Sequence, residues 1–364
     1  MWLIILFLVL AATFAGAFYM TVCVGRFGAL QKLSGGKKWL RNLLSLAVIA
    51  VIFTVTAVTL SIVNAIIIFL NSVMFFLIFG LIMRIINRKK DKPQAVNLQG
   101  WLAIATVILY HAVGFYLCFH VWQKDYTIKT NKNTDLKIAL FADSHLGTTF
   151  DGKGFAEQMK RIEEQSPDIL LIAGDFVDDS SNKADLESAC RTLSQMNVKY
   201  GVWYCYGNHD KGYYSSRDFT ADELEKTMKD HGIHVLSDEY ELVDDNFYIV
   251  GRKDKSDQDR KSMADVLKGI DTSKYIIVLD HQPNDYDNEA DAGVDLVLSG
   301  HTHGGQLFPI TYVGEWFNIN DATYGYEKRK DTDFIVTSGI SDWEIDFKTG
   351  TKSEYVIIDV THSK

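Results

Sequence analysis

The 364-residue sequence predicts an all-α, multi-span membrane region followed by an α/β layered domain. Three observations carry this reading. Charge is segregated along the chain, three long runs carry no charged side chain, and strand-like and helix-like segments alternate from about residue 136 onward. Residues 1–122 hold ten Lys or Arg and one acid, Asp91, for a net +9; the chain as a whole is −9, so the remainder carries −18. The long apolar runs and only four prolines exclude a disordered chain. The acidic second part argues against nucleic acid as a partner, because phosphate backbones require a basic surface.

The uncharged runs are 1–25, 42–83 and 93–123. A helix needs about 20 apolar residues to cross a bilayer core. The first run supplies one span, 2–24. The second is long enough for two, 42–60 and 65–83, with the break at its most polar point, Ser61 to Asn64. The third supplies one, 101–121. Met1-Trp2-Leu3 lacks the positive start of a signal peptide, so the first span reads as retained. The 26–41 loop has Arg26, Lys32, Lys37, Lys38 and Arg41, and the 84–92 loop has Arg84, Arg88, Lys89, Lys90 and Lys92. Four spans put both basic loops on one side, which the positive-inside rule makes cytoplasmic. Everything after Val121 then lies outside the cytoplasm, and the flanking cations meet lipid headgroups. His111 and His120 are nine positions apart on the fourth helix, on opposite faces, and read as structural. Cys23, Cys118, Cys190 and Cys205 show no paired spacing, so neither a disulfide framework nor a thiolate metal site is indicated.

The polar stretch 123–136 reads as a juxtamembrane linker, and 137–364 as the soluble domain. Strand-like runs are 137–142, 168–173, 199–206, 247–251, 275–279, 294–298, 334–337 and 355–360. Helical patterns cover 154–164, 183–196, 221–231 and 259–268.

Five polar clusters each follow a strand-like run: Asp143-Ser144-His145, Gly174-Asp175-Phe176-Val177-Asp178, Gly207-Asn208-His209-Asp210, Asp280-His281 and Gly300-His301-Thr302-His303. Open α/β sheets place their sites at strand C-terminal ends. Imidazole and carboxylate together suit first-row divalent metals such as Mn, Fe and Zn. The set exceeds the four ligands of a closed structural zinc site. It suits two ions sharing a carboxylate, with room for water.

These motifs, in this order, resemble the calcineurin-like metallophosphoesterase superfamily over about Lys137 to Val360. The Gly304-Gly305-Gln306 extension and Ser338-Gly339-Ile340 are similar to its membrane-associated bacterial branch. The resemblance implies a four-layer α-β-β-α sandwich of two mixed sheets flanked by helices. It implies that Asp143, His145 and His303 hold one metal, that Asn208, His281 and His301 hold a second, and that Asp175 bridges them. Two cations about 4 Å apart would turn a shared water into a hydroxide near neutral pH, for in-line attack on phosphorus. His209 would donate to the phosphate or leaving oxygen. Asp210 would orient the His209 ring, and Asp178 would be a supporting residue. Many relatives carry Arg after the second motif, where Asp179 stands here.

Lys211, Tyr213, Tyr214 and Arg217, just after the third motif, are candidate substrate contacts, as is the aromatic and basic stretch 307–330. The reaction so implied is hydrolysis of a phosphomonoester or phosphodiester. Tethering by four helices favours a lipid-linked or cell-envelope substrate. A nucleotide or cyclic-nucleotide phosphodiesterase on the same scaffold is the alternative, and a non-catalytic membrane receptor using the fold as a binding module is the alternative of another class. That receptor is disfavoured because no ligand position is missing.

Overall fold

The computed structural model describes residues 2–87, 97–213 and 216–363. Arg88, Lys89, Lys90, Asp91 and Lys92 of the second basic loop, and Tyr214, lie outside the described residues. The chain divides into two compact units, Met1–Gly114 with Glu344–Asp346, and Phe115–Trp343 with Phe347–Lys364.

The first unit is helical. Its helices are α1 (Trp2–Val24), α2 (Gly28–Leu33), α3 (Lys38–Thr59), α4 (Ile62–Asn87) and the first part of α5 (Leu98–Phe119). α1, α3, α4 and α5 are each long and apolar enough to cross a membrane. The α3–α4 break falls at Leu60 and Ser61, where the Ser61 hydroxyl accepts the Asn64 N–H. α3 begins at Lys38 and α4 ends at Asn87, beyond the uncharged run at both ends. Long basic side chains can extend a helix past the apolar core because their stems pack while their heads stay wet. α1 packs against α3 and α4, around Met20, Cys23, Phe76 and Ala103. Phe14, Phe18, Val58 and Leu81 are among many apolar side chains that face outward, an arrangement stable in lipid and costly in water. His111 makes packing bonds, with Nδ1 2.8 Å from the Val107 carbonyl and Nε2 3.3 Å from Asn71.

The second unit contains twelve strands among the described residues. In chain order its elements begin with β1 (Trp122–Thr130), β2 (Leu136–Phe141), α6 (Gly152–Glu163), β3 (Ile169–Ala173), α7 (Lys183–Gln195), β4 (Val202–Cys205), α8 (Ala221–Asp230) and β5 (His234–Leu236). They continue with β6 (Glu239–Val243), β7 (Phe247–Gly251), α9 (Met263–Val266), β8 (Tyr275–Leu279), α10 (Tyr286–Ala292) and β9 (Leu296–Ser299), then α11 (Val313–Trp316), β10 (Gly325–Arg329), β11 (Thr332–Val336) and β12 (Glu354–His362).

One sheet runs β1-β12-β2-β3-β4-β5 and the other β10-β11-β9-β8-β7-β6. β2, β3, β4 and β5 are mutually parallel, as are β7, β8, β9 and β11. Three apolar cores separate four layers. Ile138, Leu171, Trp203, Phe247, Ile277 and Leu298 belong to the core shared by both sheets. Phe155, Met159, Leu186 and Leu224 pack helices α6, α7 and α8 on the first sheet, and Met263, Tyr286 and Ala290 pack α9 and α10 on the second. The four-layer α-β-β-α sandwich with mixed sheets is therefore present. Side-chain caps start the helices on the first sheet: Asp151 for α6, Asn182 for α7, and a Thr220–Glu223 capping box for α8.

The 123–136 stretch is not a linker for most of its length: it forms β1, a parallel partner of β12 at the sheet edge. Its outward positions are polar and only Ile128 and Thr130 are buried, so no apolar run marks it. β6 and β10 pass unnoticed in the sequence for the same reason, being polar edge strands. Of the 259–268 helix only Met263–Val266 forms. All four cysteines are free and buried.

A buried charge network anchors the strand that delivers His281. Arg252 is buried, and its Nη1 donates to Asp280 at 3.0 Å and Asp285 at 2.6 Å, with Glu289 at 3.4 Å. Arg260 also pairs with Asp280. Burial, and next the Asp280 charge, raise Glu289 well above its usual value. Arg252→Met leaves buried carboxylates without this guanidinium and is expected to cost about 3–5 kcal/mol. Thermal unfolding of the metal-free protein in detergent reads this loss, and an unchanged melting temperature contradicts it.

Candidate metal centre

β2, β3 and β4 end side by side in one sheet, β8 and β9 in the other, and all five motifs lie just beyond those ends. The backbone there is bent into the left-handed region at Asp143, His145, Asp175, His301 and His303. Such conformations cost of order 1–3 kcal/mol each and persist where surrounding bonds fix them. His145 N–H donates to the Asp175 carbonyl, and His301 N–H reaches both Asp143 carboxylate oxygens at 3.0 Å.

Two groups of side chains converge. Asp143, His145 and His303 form one, and Asp175, His281 and His301 form the other; within each group the ligand atoms lie within 4.8 Å of one another. His281 Nδ1 bonds the Ala173 carbonyl at 2.8 Å, which makes Nε2 the bare nitrogen; that nitrogen faces Asp175 Oδ2 at 3.1 Å. His145 Nε2 faces the same oxygen at 3.7 Å, and His303 Nε2 lies 3.8 Å from Asp143 Oδ1. Lone pair against carboxylate is a repulsive arrangement unless a cation or proton lies between. Both His145 ring nitrogens, His281 Nε2 and Asn208 Oδ1 are buried with no hydrogen-bond partner. These bare donor atoms fit a pair of divalent ions, with Asp175 Oδ2 lying between rings of both groups.

The electrostatics agree. Burial opposes charge on His281, yet Asp175 raises its pKa well above the imidazole range, so the gap attracts positive charge. Burial, and next His281, push His301 down to about 4, leaving a neutral ring with a free lone pair. Burial alone would raise Asp178, but the adjacent His145 ring brings it down to about 2. Asp178 Oδ2 stands 3.5 Å from His145 Nδ1.

His209 sits beside both groups, with its ring 5.1 Å from His145, and Nδ1 buried without a partner. Burial holds it below the usual imidazole range. Asp210 does not orient it. Its carboxylate instead accepts main-chain N–H groups of Asp175 (2.8 Å), Gly207 (2.7 Å) and Val177 (3.0 Å). The side chain points back under the loops, away from the catalytic edge, so its role is to position rather than to react.

The sequence matches the calcineurin-like phosphoesterase family over residues 136–305. An uncharacterized metallophosphoesterase of Aquifex aeolicus is 38% identical over 197 residues, covering 51% of this chain and 71% of that protein. The chain belongs to the calcineurin-like phosphoesterase family. An uncharacterized metallophosphoesterase of Campylobacter jejuni is 31% identical over 242 residues, 64% of this chain and 61% of that protein. The transmembrane protein with metallophosphoesterase domain of Danio rerio is 31% identical over 234 residues, 60% of this chain and 52% of that protein. The match thus spans less than two thirds of the length of the second and third relatives. The family consists of metal-dependent phosphoester hydrolases, and the two ligand groups are the equipment such chemistry requires.

Within this calcineurin-like site the expected substrate contacts divide. Tyr213 stays at the centre: its hydroxyl accepts the Asn208 amide N–H at 2.9 Å and its ring lies 5.1 Å from His209. Lys211 is committed to Asp257 at 2.6 Å. Arg217 donates to the carbonyls of Asp210 (2.7 Å) and Phe219 (3.2 Å), so it braces the loop instead of reaching outward. Asp179 accepts the Tyr213 N–H at 3.1 Å. Trp343 escaped sequence reasoning; its ring is 4.9 Å from His209. It belongs to no strand or motif, and only its position shortly after Ser338-Gly339-Ile340 hinted at the site.

Two substitutions separate positioning from chemistry. In Asp210→Asn one oxygen becomes an NH2 facing a main-chain N–H, an unsatisfied buried donor worth about 1–3 kcal/mol; metal-free melting should fall, while His209→Ala leaves it near wild type. Gly207 admits no side chain, since a Cβ there would stand 2.2 Å from Asp175 Oδ1 and 2.4 Å from its N. Gly207→Ala should therefore displace the shared carboxylate and abolish binding of the second ion by calorimetric titration.

Proposed function

We propose that this chain is a membrane-anchored, dinuclear-metal-dependent phosphoesterase acting on a phosphomonoester or phosphodiester borne by a lipid or the cell envelope. The observation that carries the reaction class is the pair of ligand groups sharing the Asp175 edge, with His209 beside them. Two bound divalent ions, with Mn, Fe and Zn the fitting ions, supply Lewis-acid neutralisation of the phosphoryl oxygens and an activated water. The chain's own residues do the rest. Asp143, His145 and His303 hold one position, and Asn208, His281 and His301 the other, with Asp175 common to both. His209 donates a hydrogen bond to the departing oxygen. Tyr213 and Trp343 flank its ring and bound the space open to the leaving group.

A second observation favours a lipid-borne substrate. A loop leaves the metal motif after His303 and returns at Thr323, where the Thr302 hydroxyl donates to the Thr323 carbonyl at 2.6 Å. Along it Phe308, Ile310, Tyr312, Trp316, Phe317 and Ile319 are exposed. Its one acid between 304 and 320, Glu315, is used internally, accepting the Thr323 N–H. So many exposed apolar side chains mark an interaction surface rather than an ordinary solvated loop. The basic 26–41 loop, together with the 84–92 loop, supports a cytoplasmic face there and an extracytoplasmic catalytic domain.

Full-length protein in detergent, stripped of metal, is expected to regain hydrolysis of p-nitrophenyl phosphate or its bis ester on addition of Mn, Zn or Fe. His209→Ala should lower that rate by about 10²–10⁴-fold, and Asp175→Asn should abolish metal rescue. Absence of turnover with every metal, on both soluble and lipid esters, contradicts the reading. Ile310→Ser with Phe317→Ser should slow hydrolysis of a vesicle-borne phosphoester while sparing the soluble ester. Equal effects on both esters remove the argument for lipid.

A further inference from the structure

Behind the first ligand group lies a buried charged pair that the reaction so far does not use. Lys348 is fully buried, at 0% exposure. Its ammonium donates to the carbonyls of Ser338 (2.7 Å) and Ser341 (3.1 Å), and lies 3.3 Å from Asp342 Oδ1. Asp342 is also fully buried, and the same Oδ1 stands 3.5 Å from Nδ1 of His303. That nitrogen is also 3.3 Å from the Ser341 carbonyl. Acceptors alone therefore surround His303 Nδ1, which fixes the proton there and leaves Nε2 bare toward Asp143.

A lysine taken wholly out of water is costly unless its donors are matched. Here two donors meet main-chain carbonyls, and the charge faces the Asp342 carboxylate at 3.3 Å. Ser338, Ser341 and Asp342 are successive parts of the turn that follows β11, so the ammonium ties that turn together and holds Asp342 against the histidine. The second ligand group is built otherwise, since His281 Nδ1 rests on a neutral main-chain carbonyl, that of Ala173. Carboxylates stand behind both imidazoles of the first group, Asp342 behind His303 and Asp178 behind His145. An imidazole backed by a carboxylate is a more basic and better-oriented ligand.

We propose that Asp342 and Lys348 are positioning residues for the first metal, setting its affinity separately from that of the second. This rests on the two-metal reading above. The test uses full-length protein in detergent, stripped by chelator and titrated with Mn(II) alone, with calorimetry for affinities and electron paramagnetic resonance for the number of ions bound. Two Mn(II) ions are expected for wild type. Asp342→Asn keeps the shape and an acceptor, and Asp342→Asn with Lys348→Met removes both buried charges together. Each should weaken one site by about 10–100-fold and leave the other unchanged, and the weakened site should be the one that His303→Ala removes. If the double variant does not fold, Asp342→Asn alone decides. Affinities that fall together, or not at all, overturn the proposal, because a merely structural role lowers the melting temperature without splitting the two sites. Wild type that binds no Mn(II) overturns the two-metal reading and this proposal with it, a result distinct from two sites responding alike.

Discussion

The Asp210 carboxylate gathers main-chain N–H groups from two loops, Asp175 and Val177 after β3 and Gly207 after β4. Much of the centre depends on that gathering. It fixes the backbone of Asp175, whose Oδ1 accepts the His209 N–H and whose Oδ2 faces His281 and His145. One buried anion thus orients a second. Burial, and then the Asp175 charge, push Asp210 up to about 6, even though the Val177 and Gly207 amides pull it down. The tension is stable only because donors surround one carboxylate and the other is aimed at a place for cations.

How much of this was legible follows from where apolar residues fall. The central strands are short apolar runs, each followed at once by a polar cluster, and the clusters proved to share one edge. Sequence order therefore revealed the six His and Asp residues that gather into two groups. The edge strands were not legible, because β1, β6 and β10 bury too few side chains to leave an apolar signature. The supporting residues were opaque for another reason. Asp210 was assigned to the wrong neighbour, since adjacency in sequence to His209 says nothing about which way its carboxylate turns. A buried lysine such as Lys348 reads as a surface residue by every compositional rule, and only tertiary packing shows its acceptors.

The two units distribute their apolar side chains in opposite ways. In the first, apolar side chains face outward and polar ones such as Asn71 and His111 meet inside. In the second, three apolar cores are enclosed and the exterior is strongly acidic. A surface of that sign repels phosphoesters at long range, so productive encounter depends on local positive charge at the ligand groups. Delivery within a bilayer plane would sidestep that long-range repulsion.

The pairing of β1 with β12 has a consequence for biosynthesis. β1 follows the last candidate span after only two residues, yet its neighbour in the sheet is the final strand, and the Tyr355 hydroxyl bonds to Gln123, 232 residues away. β12 lies between β1 and β2, so neither can complete its ladder on that side until residues 354–362 have left the ribosome. Closure over so long a loop is slow. Until then the domain has two open strand edges, which makes the interval before β12 emerges its period of greatest exposure to misassembly.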